Sequence, residues 1–154
     1  MEAGQAGEPE TLSAREKVLV EGQNDWVKLW DVHRHVAAED SSATLADVQR
    51  KTLEVVESLL GEHLAEVGGL RDHGAQFVPW TSKLSDTMRR ITVEYVHNFD
   101  DRHGWPWTVW LRITETGKRI GAEHEHVYRR WLYELRVRGR EYAALPARLQ
   151  PNPE

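Results

Sequence analysis

Apolar residues recur at helical spacing over most of the chain and alternate at strand spacing in only three short places. Ser13, with Glu16 three positions on, fits a capping box and predicts a helix over 14–21 that stops at Gly22. Asn24 or Asp25 can cap a second helix through Ala38, with Trp26, Leu29, Trp30, His33 and Val36 on one face. Thr44 caps a third, whose buried stripe is Leu45, Val48, Thr52, Val55, Val56, Leu59 and Leu60. Leu64 to Val67 alternates as a short strand, broken at Gly68-Gly69. GAQFVPW holds only a short strand, because Pro79 cannot donate to a ladder.

Thr81 or Ser82 caps a fourth helix with Leu84, Met88, Ile91 and Tyr95 on one face, and 98–106 reads as a loop. Trp107 to Ile113 reads as a strand in which Trp107, Val109, Leu111 and Ile113 face one way and Thr108, Trp110 and Arg112 the other. Thr114 caps a long final helix reaching Ala144, with Ile120, His124, Val127, Trp131 and Leu135 at steps of three or four. Residues 1–10 and 146–154 lack apolar periodicity and read as disordered tails around a single domain over 11–145. The fold class expected is α+β, mainly helical: three N-terminal helices, a small sheet with a helical insertion, and a long C-terminal helix.

The segment 52–67 (TLEVVESLLGEHLAEV) resembles the recognition helix and first wing strand of winged helix-turn-helix proteins. The segment 110–120 (WLRITETGKRI) resembles the last wing strand and the "T-x-x-G-[KR]" helix start of MarR and PadR type regulators. The resemblance spans Asp25 to Glu125. It implies a winged-helix-like frame whose wing is enlarged by the segment 69–106, a dimer built by the terminal helix, and DNA as a partner. The "DW…V" start and "FVPW" centre are also similar to small actinobacterial proteins, and the excess of Arg over Lys suits a GC-rich genome.

Charge argues against the DNA role. The chain is 154 residues long with a formal net charge of -5. Residues 25–66 hold nine carboxylates against four Lys and Arg, so the part that should meet phosphates is the most acidic. The outer face of the third helix carries Asp47, Arg50, Lys51, Glu54, Glu57 and Glu62. Arg50, Lys51 and Arg102 remain the candidate DNA contacts.

Candidate chemistry is sparse. The chain has no Cys, which excludes disulfides, thiolate metal sites and cysteine nucleophiles. There is no HExxH, phosphate-binding Gly motif or G-x-S-x-G elbow, so nothing matches a set of catalytic roles and no cofactor is expected. His33/His35 and His124/His126 stand about 200° apart on a helix and cannot easily grip one ion. His97, Asp100, Asp101 and His103 are the nearest set of metal ligands, and they also read as an ordinary polar loop. No apolar run approaches the ~20 residues that span a bilayer, and the acidic N-terminus is not a secretory signal, so a cytoplasmic protein is expected.

The chain has seven Trp and only two Phe. Trp26, Trp30, Trp80 and Trp107 are expected in the core. Trp105, in the GWPW turn, is the Trp expected to be exposed. Trp110 is either covered by the 82–97 helix or marks an interface. Val127, Tyr128, Trp131, Leu132 and Leu135 form a wide stripe that either packs on its own domain or makes a two-fold contact. Two functions follow: a non-catalytic regulatory protein binding a protein partner, or a dimeric DNA-binding regulator. Metal-dependent activity at the 97–103 loop is a third.

Overall fold

The computed structural model describes residues 11–152; the expected N-terminal tail lies outside them. It is an α+β fold, mainly helical. Helix α1 (Ala14–Glu21) begins at the expected capping box, with the Ser13 side chain accepting from Glu16 N–H and the Glu16 side chain from Ser13 N–H. Helix α3 (Leu45–Gly61) begins at a second box, Thr44 with Asp47. Between them the second helix starts later than expected. Asp25 spends its carboxylate on the Trp26 N–H rather than on a helix start. Val27–Lys28 forms a short strand, β1, and α2 covers only Leu29–Ala37. Trp26 is therefore off the helix and stacks at a tilt near Phe77, with ring centroids 6.1 Å apart.

Strand β2 (Ala65–Arg71) runs through Gly68-Gly69 instead of breaking there. Its neighbour β3 (Gln76–Pro79) crosses so closely that a Cβ on Gly68 would sit 2.2 Å from the Val78 carbonyl. The paired glycines are thus a requirement of strand contact, which sequence reading took as a stop. The chain reverses at Asp72 and His73, both at φ 56. The last strand, β4 (Trp110–Ile113), pairs with both β1 and β2, giving an antiparallel sheet in the order β1-β4-β2-β3. Pro79 sits on the outer strand, where its missing N–H costs no ladder bond. The order of elements is consistent with a winged-helix-like frame carrying an inserted segment between β2 and β4.

That insertion comprises β3, α4 (Leu84–Thr92), a π-helical turn over Val93–His97, and α5 (Trp105–Thr108). Neither Thr81 nor Ser82 caps α4; Lys83 is its N-cap, and Ser82 instead bonds the Thr87 hydroxyl at 2.9 Å. The expected strand start at Trp107 is also wrong. Pro106 at the start of a helical turn holds 105–108 out of the sheet, so Trp107 is 60% exposed and Trp105 is fully buried. The two tryptophans exchange their expected places.

The long final helix is two. Helix α6 (Glu115–Ala122) begins at Thr114 as expected, and α7 (Glu125–Val137) follows after a break at Glu123–His124. Gly121 explains the close seat of α6 on α1, since a Cβ there would lie 2.5 Å from the Leu19 carbonyl. α7 ends well short of Ala144, because Gly139 at φ 68 closes a Schellman pair: Arg140 N–H to Leu135 O and Gly139 N–H to Arg136 O. Residues 146–152 are not a loose tail. Ala147–Leu149 forms a 3₁₀ turn and Leu149 is 2% exposed in the core.

The core centre is aromatic. His33 on α2 is fully buried among Trp30, Tyr95, Phe99 and Trp105, with ring centroids 5.5 to 5.6 Å away. Its Nε2–H donates to the Leu149 carbonyl at 2.8 Å, which fixes the tautomer and leaves Nδ1 to accept from the Tyr95 hydroxyl at 2.5 Å. Burial holds its pKa down to about 4, against the small upward pull of the Leu149 carbonyl.

A depressed imidazole is neutral in the fold but protonated in the unfolded chain between about pH 4 and 6.5. Its contribution to stability is therefore present at neutral pH and lost as pH falls through that window, by about 3 kcal/mol at pH 4. Urea unfolding of the wild type and His33→Gln at pH 7, 5.5 and 4 checks this; equal pH slopes for the two would refute it. Gly121→Ala is expected to cost about 1–3 kcal/mol through backbone overlap, read by the same unfolding series at pH 7.

Candidate functional site

Helices α1 and α2 stand on one side of a cleft and α7 on the other. α7 has no buried residue, so it leans on the domain rather than entering the core. The segment after it folds back over α2. Arg34 reaches the Ala143 carbonyl at 3.4 Å, and Arg148 reaches the carbonyls of Ser41 and Ala43 at 2.8 and 3.0 Å. These contacts make the far wall of a cavity of about 720 Å³, a size in the usual ligand-pocket range of about 300–1,000 Å³.

The polar floor is built from helix turns. Lys17 and Glu21 are one turn apart on α1, and Asp31 and His35 one turn apart on α2. Glu21 Oε2 accepts from His35 Nε2–H at 2.9 Å and from the Tyr128 hydroxyl on α7 at 2.7 Å. Burial works to raise the Glu21 carboxyl, but the hydrogen bonds of His35 and Tyr128 and the nearby charges of His35 and Lys17 outweigh it, so its pKa is lowered. The Tyr128 hydroxyl is pushed up, first by burial and then by the Glu21 charge.

Lys17 is 6% exposed, and its Nζ lies 4.3 Å from the Trp131 ring centroid. Burial lowers its pKa against the pull of Glu39 and Glu21. Asp31 is shifted the other way: burial and then the Glu21 charge raise it, partly offset by Lys28, His35 and Arg34. Trp131 is packed on three sides, by Lys17, by the His35 ring at 5.9 Å and by the Tyr128 ring at 5.2 Å. Perturbed titratable groups gathered in a cleft mark a candidate site.

Of the residues that sequence reading singled out, Tyr128, Trp131, Leu132 and Leu135 line this cleft. Val127 is half-buried beside them. Trp105 is withdrawn as an interface residue: it is in the core, its indole N–H on the Phe99 carbonyl at 2.8 Å. Trp110 is half-buried, and its indole N–H is taken by the Trp107 carbonyl at 2.9 Å. The metal set does not converge; among the described residues no three His, Asp or Glu could hold an ion together. Asp101 accepts from His103 N–H within the loop, and Asp100 accepts from Asn152 N–H of the C-terminal segment.

On α3, Arg50 lies 3.5 Å from both Asp47 and Glu54, Lys51 is exposed beside it, and Arg102 is exposed in the 98–104 loop. Inserted α4 packs along α3, with Leu84 beside Gly61. Among the described residues no helix is long and apolar enough to cross a membrane.

Sequence reading missed Lys17, Glu21, Asp31, Arg34 and His35. The available signal was the pairing of titratable residues at i,i+4 on two short helices. In the sequence His35 pairs with His33 as a possible metal pair, whereas in the fold it contacts Glu21, 14 positions away.

No family model, curated protein or solved structure matches the chain.

Tyr128→Phe removes one of the two hydrogen bonds that keep the Glu21 carboxyl low. Its titration, followed by carboxyl ¹³C NMR, is expected to move upward, with a stability loss of about 1 kcal/mol at pH 7. An unmoved Glu21 midpoint would show that the bond does not form in solution.

Proposed function

We propose that this chain is a non-catalytic regulatory or interaction protein that uses a winged-helix-like frame to bind a protein partner, with the region around the cleft and α7 as the recognition surface. The observation that carries the reading is the cleft itself. It is open and roomy, walled by Trp131, Leu132 and Leu135, and bordered by a helix with no buried residue of its own. Beyond the cleft, α7 and its continuation expose Tyr133, Val137 and Tyr142, at 67%, 66% and 86%. Aromatic side chains on a surface are common anchors of protein interfaces.

The outer face of α3 suits DNA less well. Arg50 is flanked by two carboxylates, and Glu54, Glu57 and Glu62 lie along the same helix end. Phosphates would meet mostly like charge there.

Affinity capture from the encoding organism, with Leu135→Arg and Tyr133→Ala as comparison baits, tests the reading. A specific partner lost from either variant, with circular dichroism unchanged, is the expected result. A second copy as partner would give twice 17.8 kDa by light scattering. Binding of labelled duplex DNA at low salt that is abolished by Arg50→Glu and Lys51→Glu would instead establish the DNA regulator.

A further inference from the structure

The cleft holds one ammonium and one carboxylate that the protein does not satisfy. Lys17 is 6% exposed, yet among the described residues its Nζ makes no hydrogen bond and no ion pair; the Trp131 ring lies over it at 4.3 Å. The carboxylates nearest in charge are already engaged. Glu21 Oε2 takes His35 and Tyr128, and Glu39 Oε2 takes the Ala14 N–H at 2.6 Å. Asp31 likewise makes no hydrogen bond or ion pair among the described residues. It lines the same cavity and feels the negative charge of Glu21. Both head groups open into the cavity, with Asp31 half-exposed, so a bound group that offers them charge-assisted hydrogen bonds replaces water with fixed partners.

We propose that the cleft binds a small zwitterion with an apolar body, an α-amino acid or a short peptide, whose carboxylate meets the Lys17 ammonium and whose ammonium meets the Asp31 carboxylate.

A simple anion would satisfy Lys17 while facing Glu21 and Asp31. A simple cation would satisfy Asp31 and leave Lys17 as it is. A ligand with both charges completes both groups and adds no net charge to the cleft. The apolar wall of Trp26, Leu132 and Leu135 accepts the body of the ligand. A cavity of about 720 Å³ has room for one amino acid or for a few linked ones. The inference rests on the reading of the cleft as the recognition surface.

The test uses the full chain and four probes: L-phenylalanine, a phenylalanyl-leucine dipeptide, N-acetyl-phenylalanine, which is only an anion, and phenylalaninamide, which is only a cation. Calorimetry gives the affinities at pH 7, and the Trp131 indole N–H resonance reports the place. At least one of the two zwitterions should bind tenfold or more tighter than either singly charged probe and should shift Trp131. Which of the two wins separates a free amino acid from a peptide. Lys17→Met should weaken the zwitterion at least tenfold and leave phenylalaninamide unchanged. Asp31→Asn should do the same while leaving N-acetyl-phenylalanine unchanged, and it stands as the second variant should Lys17→Met fail to fold by circular dichroism. A singly charged probe that binds as well as the zwitterions overturns the inference, as does zwitterion binding that ignores Asp31→Asn or does not shift Trp131. The two proposals fail separately. Partner capture that depends on Leu135 with no zwitterion bound sinks the inference alone; zwitterion binding with capture indifferent to the cleft sinks the partner reading alone.

Discussion

The imidazole of His33 sits where three stretches of chain, far apart in sequence, come together. Its ring belongs to α2, its Nδ1 accepts from Tyr95 in the π-helical turn, and its Nε2–H holds the carbonyl of Leu149 near the C-terminus. A neutral imidazole is the one side chain that donates and accepts at opposite edges of a flat ring. It can therefore join a hydroxyl to a backbone carbonyl and still pack between aromatic faces. Trp30, Phe99 and Trp105 supply those faces, and Trp105 pins the inserted segment by donating to the Phe99 carbonyl. The inserted segment and the C-terminal segment are thus seated on the same residue.

The site follows from that joint. Because Leu149 is held in the core, the stretch from Arg140 to Pro146 must return across α2, where Arg34 and Arg148 secure it. That return gives the cleft a far wall. The near wall is α7, which the break at Glu123–His124 frees from the line of α6. The close seat of Gly121 on the Leu19 carbonyl fixes α6 against α1 at a point between Lys17 and Glu21, which both line the cleft.

Local chemistry was legible in the sequence wherever it acted alone. Ser13 with Glu16, and Thr44, mark helix starts that need only the next few residues, and the structure adds Asp47 as the partner of Thr44. The α+β class and the helical insertion follow from periodicity in the same way. What escaped was set by partners distant along the chain. Gly68-Gly69 reads as a breaker until β3 is laid against it. Trp105 and Trp107 are two positions apart in one turn, and only the path of α5 decides which of them is buried. His33 and His35 looked like an ill-spaced metal pair, whereas one faces Tyr95 and Leu149 and the other faces Glu21. Lys17 is the strongest case: a lysine in a short helix reads as a solvent anchor, and nothing local says that Trp131 will cover it.

α7 rests on the domain through half-buried side chains, none of them fully buried. Tyr128 on Glu21 and Trp131 over Lys17 and against His35 cross the gap, and they end in the cleft. Each ties a side chain of α7 to a charge whose balance any occupant of the cleft would alter. An occupant that draws the Lys17 ammonium away from the Trp131 face weakens one of these ties, and one that packs against Trp131 and Leu135 replaces it with apolar contact. Either way the pose of α7 is favoured or disfavoured only by the difference in contacts the occupant makes with it. The exposed row of Tyr133, Val137 and Tyr142 lies on that helix and its continuation. Under the proposed occupancy, contacts made to Trp131 or Leu135 fall on the same helix that presents Tyr133 and Val137.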